Sequence, residues 1–133
     1  MSAPIEIVAC PLTAAAFAPY GDVLDADGRG SFPINAGRCQ RFDDIARLAF
    51  DGDEGRPGLS IFRSEPVAIP HQVAAMERHP FGSQAFIPLS DHPFLVIVAP
   101  DRAGRPGAAE AFVTVARQGL NLHRNVWHAA LAP

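Results

Sequence analysis

Apolar and polar residues are arranged differently on the two sides of residue 58. Upstream, Thr13-Ala14-Ala15-Ala16-Phe17 is a helix-forming run with a capping hydroxyl at its start, and Pro19 and Gly21 end it early. Polar breaker clusters at 25–30 and 51–58 read as surface loops. Downstream, the apolar residues fall into short runs of strand length: Leu59 to Arg63, Val67 to Ile69, Gln72 to Arg78, Ser83 to Leu89, Phe94 to Ala99 and Leu120 to His128. Ala108 to Ala116 carries mixed signals. Its Ala and Glu favour helix, while Phe112-Val113-Thr114-Val115 favours strand and tips the reading to strand. Many short strands at this spacing predict a mainly all-β fold, an antiparallel sandwich or barrel with one short N-terminal helix. No repeat of fixed period, heptad pattern or linker breaks the chain, so residues 1–133 read as a single domain.

Composition narrows the function classes. A length of 133 residues suits one domain of ordinary size, and 13 Pro with 11 Gly fall short of low-complexity disorder. All 11 cationic residues are arginine, set against 14 Asp and Glu for a net charge of -3. Such a balance leaves no basic excess to neutralise phosphates and speaks against a nucleic-acid partner. The absence of lysine excludes Schiff-base catalysis and a P-loop. Phe94 to Ala99 is the longest apolar run, well below the ~18 residues of a membrane span. The N-terminus carries Glu6 and no early arginine, unlike a signal peptide. Cys10 and Cys39 show neither CxxC spacing nor a dense disulfide pattern, so they are expected as small buried apolar residues of a reduced, cytoplasmic protein.

Two segments hold the residues that can carry chemistry. In the first, Glu77 and His79 stand at i and i+2 on one strand face, and the turn at Gly82 lets Gln84 return to that face. In the second, His123 lies among Leu120, Leu122 and Val126. Were it to face the first group across the interior, a carboxylate, two imidazoles and an amide would line one cavity, enough for a metal or for proton transfer. Blander readings stand beside these. Glu77 is equally a solvated hairpin residue, His79 a turn residue before Pro80, and His123 a satisfied core imidazole. Strand alternation from His123 puts His128 on the opposite face unless a bulge intervenes. His71 and His92 flank prolines and read as solvated. Arg78 and Arg124 read as outward salt-bridge or interface groups, and Trp127 as core or interface.

Glu77-x-His79-x4-Gln84 followed by Gly119-x3-His123 resembles the two motifs of the cupin superfamily, with Glu77 in place of the first histidine and Gln84 in place of the acidic ligand. More specifically, the chain resembles the ureidoglycolate lyase family. The resemblance rests on Pro11-Leu12-Thr13, Tyr20-Gly21-Asp22-Val23, Ile34-Asn35-x-Gly37, Arg41-Phe42 and Ile61-Phe62-Arg63. Above all it rests on the near-continuous run from Glu77 to Leu89, then Pro93 to Val96 and Gly119-x-Asn121-x-His123-x3-Trp127-His128. It implies a cupin-type antiparallel β-barrel or jelly roll and a cytoplasmic homodimeric enzyme of allantoin degradation. Family members continue past the Trp-His strand while this sequence stops at Pro133, which leaves two alternatives: the C-terminal strands are lost, with an uncovered sheet edge, or the sequence is incomplete.

The implied reaction is the cleavage of (S)-ureidoglycolate to glyoxylate and urea. Removing the hydroxyl proton lets a carbonyl form as the C–N bond breaks, without consuming water, so the chemistry needs a base, an acid and a cation for the carboxylate. The resemblance implies Glu77, His79 and His123 as catalytic groups, and Asn35, Arg41, Arg63, Gln84 and His128 as substrate contacts. Arg41 or Arg63 would supply a bidentate fork. For cofactors two alternatives stay open: none, or a divalent metal ion such as nickel on Glu77, His79, Gln84 and His123. A neutral amide ligand weakens such a site. Two competing functions are a non-catalytic cupin-like binding or sensor domain and a different cupin enzyme, such as an epimerase or dioxygenase.

Overall fold

The computed structural model describes residues 3–130. Its elements are β1 (Cys10–Pro11), α1 (Ala14–Phe17), β2 (Gly21–Leu24), β3 (Phe32–Ile34), β4 (Cys39–Arg41), β5 (Met76–Glu77), β6 (Gln84–Phe86), β7 (Leu95–Ala99), β8 (Asp101–Arg102), β9 (Arg105–Pro106), β10 (Glu110–Val113), β11 (Gly119–Leu122) and β12 (Trp127–Ala129). The mostly-β expectation holds, with one short helix. Thr13 caps that helix as its sequence predicts, its Oγ1 accepting the Ala16 N–H at 3.2 Å. None of the described helices is long and apolar enough to cross a membrane.

Two sheets share the core. The larger runs β1-β10-β7-β12-β5 and the smaller β2-β11-β6; β3-β4 and β8-β9 are separate hairpins. Every pairing is antiparallel except β1 with β10, which is parallel. Alternation along the strands decides which residues turn inward. Val96 and Val98 of β7 and Phe112 of β10 come from the larger sheet, while Val23 and Leu120 with Leu122 come from the smaller one. Phe17, Tyr20 and Leu12 join them in one cluster, with Phe17 set edge-on to Phe112 at 5.3 Å between ring centroids. The run 108–116 is strand as expected, through β10.

Several expectations are corrected. Leu59 to Arg63 and Val67 to Ile69 form no strand, and only Met76–Glu77 of the run from Gln72 to Arg78 pairs. Alternation supplied strand propensity there, but a strand also needs a partner edge, and Pro57, Pro66 and Pro70 remove three donors from that stretch. Leu59, Ile61, Phe62 and Ile69 are exposed instead. Cys10 and Cys39 are exposed rather than buried; both lie on short peripheral strands. The run from Leu120 to His128 is two strands: Asn125, at φ 73°, and the Val126 N–H to His123 carbonyl bond break it with a turn. His71 and His92 are exposed, as read from their prolines.

Candidate functional site

Pairing across three strands builds the site. His128 of β12 is register partner of both Val98 of β7 and Glu77 of β5. Residues paired in this way project to one side, and Val98 is wholly buried, so the row Val98, His128, Glu77 runs from the core to its rim. His79, two residues beyond Glu77, returns to the same side. Glu77 Oε1 lies 3.7 Å from His128 Nε2 and 3.9 Å from His79 Nε2. The two rings sit 5.2 Å apart, and ligand atoms of all three residues fall within 4.8 Å of one another. His128 is buried, His79 half-buried and Glu77 exposed.

The proton positions follow from the partners. His128 Nδ1 lies 3.1 Å from the Ala129 carbonyl, which can only accept, so Nδ1 carries the proton and Nε2 presents its lone pair to the group. Burial holds the His128 imidazole below its ordinary pKa, and nearby His79 adds to this; the Ala129 contact and Glu77 oppose it. At neutral pH His128 is therefore a neutral base or ligand. Gln84 of β6 shares the inward face with Phe86, which stands 6.1 Å from the His128 ring. His79 Nε2, His128 Nε2 and Gln84 Oε1 are all buried without a hydrogen-bond partner. The two unpartnered imidazole nitrogens beside a carboxylate, with His128 oriented from behind by a carbonyl, suit a divalent metal. Phe86, Phe94, Leu120 and Leu122 form an apolar wall next to His128.

His123 is not in this group. Leu120 and Leu122 face the shared core, so Asn121 and then His123 face the other side of the smaller sheet, where Asn121 is wholly buried and His123 Nε2 meets Asp22 Oδ2 at 3.0 Å. There Asp22 also accepts Asn121 Nδ2 at 3.0 Å and the Arg47 N–H at 2.8 Å. Desolvation raises the Asp22 pKa, but these bonds outweigh it and hold the carboxyl below its ordinary value. A cleft of about 240 Å³ opens beside them, lined also by Arg29 and Ile45. Of the expected substrate contacts, Asn35 and Arg41 sit on the exposed β3-β4 hairpin, Arg41 pairing with Asp43 at 2.9 Å. Arg63 is exposed next to Phe62, whose ring stands 6.5 Å from Phe86. His128, expected to contact substrate only, is the buried member of the converging group. The Leu120/Leu122 alternation signals the outward face of His123, but it ends at the Arg124-Asn125 turn and carries no signal for His128.

A mostly-β chain that turns one carboxylate and two imidazoles toward a common point has the groups to hold a metal ion or to move a proton. Comparison with known proteins makes this specific: the chain belongs to the ureidoglycolate lyase family, whose model matches residues 4–133. It is 52% identical over 128 residues to a ureidoglycolate lyase of a Chelativorans species, covering 96% of this chain and 78% of that protein. It is 52% identical over 123 residues to ureidoglycolate lyase 2 of Rhizobium meliloti, covering 92% and 76%. Identity to the Rhodobacter capsulatus ureidoglycolate lyase is 53% over 123 residues, again covering 92% and 76%.

Proposed function

We propose that the chain acts as a ureidoglycolate lyase, cleaving (S)-ureidoglycolate to glyoxylate and urea through Glu77, His79 and His128. The observation that carries this reading is the convergence of those three side chains in a chain of this family. In the proposed mechanism His128 Nε2 takes the substrate hydroxyl proton. The C–O pair closes to a carbonyl, the C–N bond breaks, and its electrons leave on the urea nitrogen, which takes a proton from a protonated His79 nitrogen; the proton gained by His128 then returns to His79 by way of solvent, which restores both imidazoles. Substrate atoms are conserved and no water enters. Glu77, between the two Nε2 atoms, stabilises whichever imidazole becomes cationic. Gln84 Oε1, unpartnered, is suited to accept from the ureido N–H groups. Arg63 is the favoured carboxylate clamp, supported by the contact chain Phe62, Phe86, His128.

A metal, when bound, would be held by Glu77, His79 and His128, and would polarise the substrate hydroxyl. His123 passes to the outer cleft in this reading. The two sheets over one core support a single cupin-type jelly-roll domain. Exposed Leu59, Ile61 and Phe62 and the edge strand β5 support a homodimer. A cytoplasmic setting and a place in allantoin degradation accord with the same reading.

Urea release from ureidoglycolate, with and without prior chelation, is the test. Release is expected. Loss on chelation with recovery on adding nickel or another divalent ion assigns the group to a metal, and unchanged release assigns proton transfer to the side chains alone. No release with intact fold overturns the lyase reading in favour of a binding domain.

A further inference from the structure

The strand that carries Glu77 is poorly anchored by its own ladder. β5 is two residues long, lies at a sheet edge and pairs only through His128↔Glu77 and Ala129↔Met76. A slip of one residue would turn Glu77 and His79 to the outer face and Arg78 inward. On that outer face a polar cluster spans the segments the ladder leaves loose. Arg78 Nη1 donates to Asn125 Oδ1 at 2.8 Å and lies 3.3 Å from Asp101 Oδ1, and the guanidinium carbon stands 5.3 Å from the Trp127 ring centroid. Trp127 Nε1 donates to the same Asp101 oxygen at 2.9 Å. The Asn125 N–H donates to the His79 carbonyl at 3.0 Å.

Each member of this cluster is tied by chain or by contact to a converging residue: Arg78 sits between Glu77 and His79, and Trp127 precedes His128. We infer that Asp101 and Arg78 are positioning residues of the reaction, forming with Trp127 an outer clamp that fixes the register of β5 on β12. The clamp thereby aims Glu77, His79 and His128 at one point. Asp101 suits the part because it follows β7 at the start of a tight hairpin, turned by Ala103 at φ 53° and Gly104 at φ 84°. The Trp127 N–H, helped by Gly104 N–H, Arg78 and Asn125, lowers the Asp101 pKa against desolvation, keeping the clamp charged near neutrality.

The clamp bears on turnover through the lyase reading, but its geometric effect is measurable without turnover. Asp101→Ala, Asp101→Asn and Trp127→Phe would be compared with wild type by urea-release kinetics and by NMR of the His79 and His128 imidazole signals. In Asp101→Ala, kcat is expected to fall about tenfold to a hundredfold with KM changed less than about threefold, since a misplacement near 1 Å suffices for such a loss. Both imidazole signals are expected to move. Asp101→Asn keeps an acceptor for the Trp127 N–H and should restore most of both readouts. Trp127→Phe, which deletes only that donor and the indole's extra ring, gives the same test if Asp101→Ala fails to fold. Tyr20→Phe, which removes the remote bond to Glu110, should lower the thermal midpoint while leaving kcat and both signals in place. Unmoved imidazole signals in folded Asp101→Ala or Trp127→Phe overturn the clamp. A wild-type protein that releases no urea overturns the lyase reading, while the imidazole shifts still decide for or against the clamp.

Discussion

At the scale of single residues, His128 differs from the other four histidines because one nitrogen is committed to a backbone carbonyl while the other is buried and unpartnered. His123 instead commits its Nε2 to Asp22. His128→Ala should therefore lower kcat by at least a hundredfold, and His123→Ala by far less, in urea-release assays on folded protein. The reverse order would return the chemistry to His123. Acid stability tests the same environment. The folded His128 pKa lies below its ordinary 6.5, chiefly through burial, so the unfolded chain takes the proton first as pH falls. Its contribution to stability is full above about pH 6.5 and declines below it. Urea midpoints should fall between about pH 7 and 5, more steeply in wild type than in His128→Ala.

At the scale of elements, the decisive feature is the turn between β11 and β12. Asn125 holds a left-handed backbone, which an asparagine tolerates and a β-branched residue does not. Asn125→Val should cost about 1–3 kcal/mol in urea unfolding. Asn125→Gly should cost less, because it loses only the side-chain bonds to Arg78 and Asp101. That turn also marks where local pattern stopped being informative. Through Leu122 the period of two gave each side chain's face; across Arg124-Asn125 the count restarts, and His128 joins a different sheet from the one that ends before His123. The strandless 59–63 run shows the converse: its pattern was strand-like, yet pairing depends on an edge that its own residues do not specify.

At the scale of the whole molecule, two sheets bury one cluster, and Phe17 of the helix, wholly buried against Phe112 and Tyr20, plugs its end. Phe17→Ala should destabilise the fold by about 3–5 kcal/mol, a large share of the roughly 5–15 kcal/mol available to a domain, read by urea unfolding. By itself the sequence determined the mostly-β class, the capped helix, the strands β7 and β10, the family, and the same-side pairing of Glu77 with His79. Each of these depends on residues close together in the chain or on a long motif match. Tertiary structure alone decided that His128 rather than His123 completes the group, that Asn35 and Arg41 stand apart from it, and that both cysteines are exposed. Those outcomes depend on register between strands distant in sequence, and one short turn is enough to exchange the face a side chain presents.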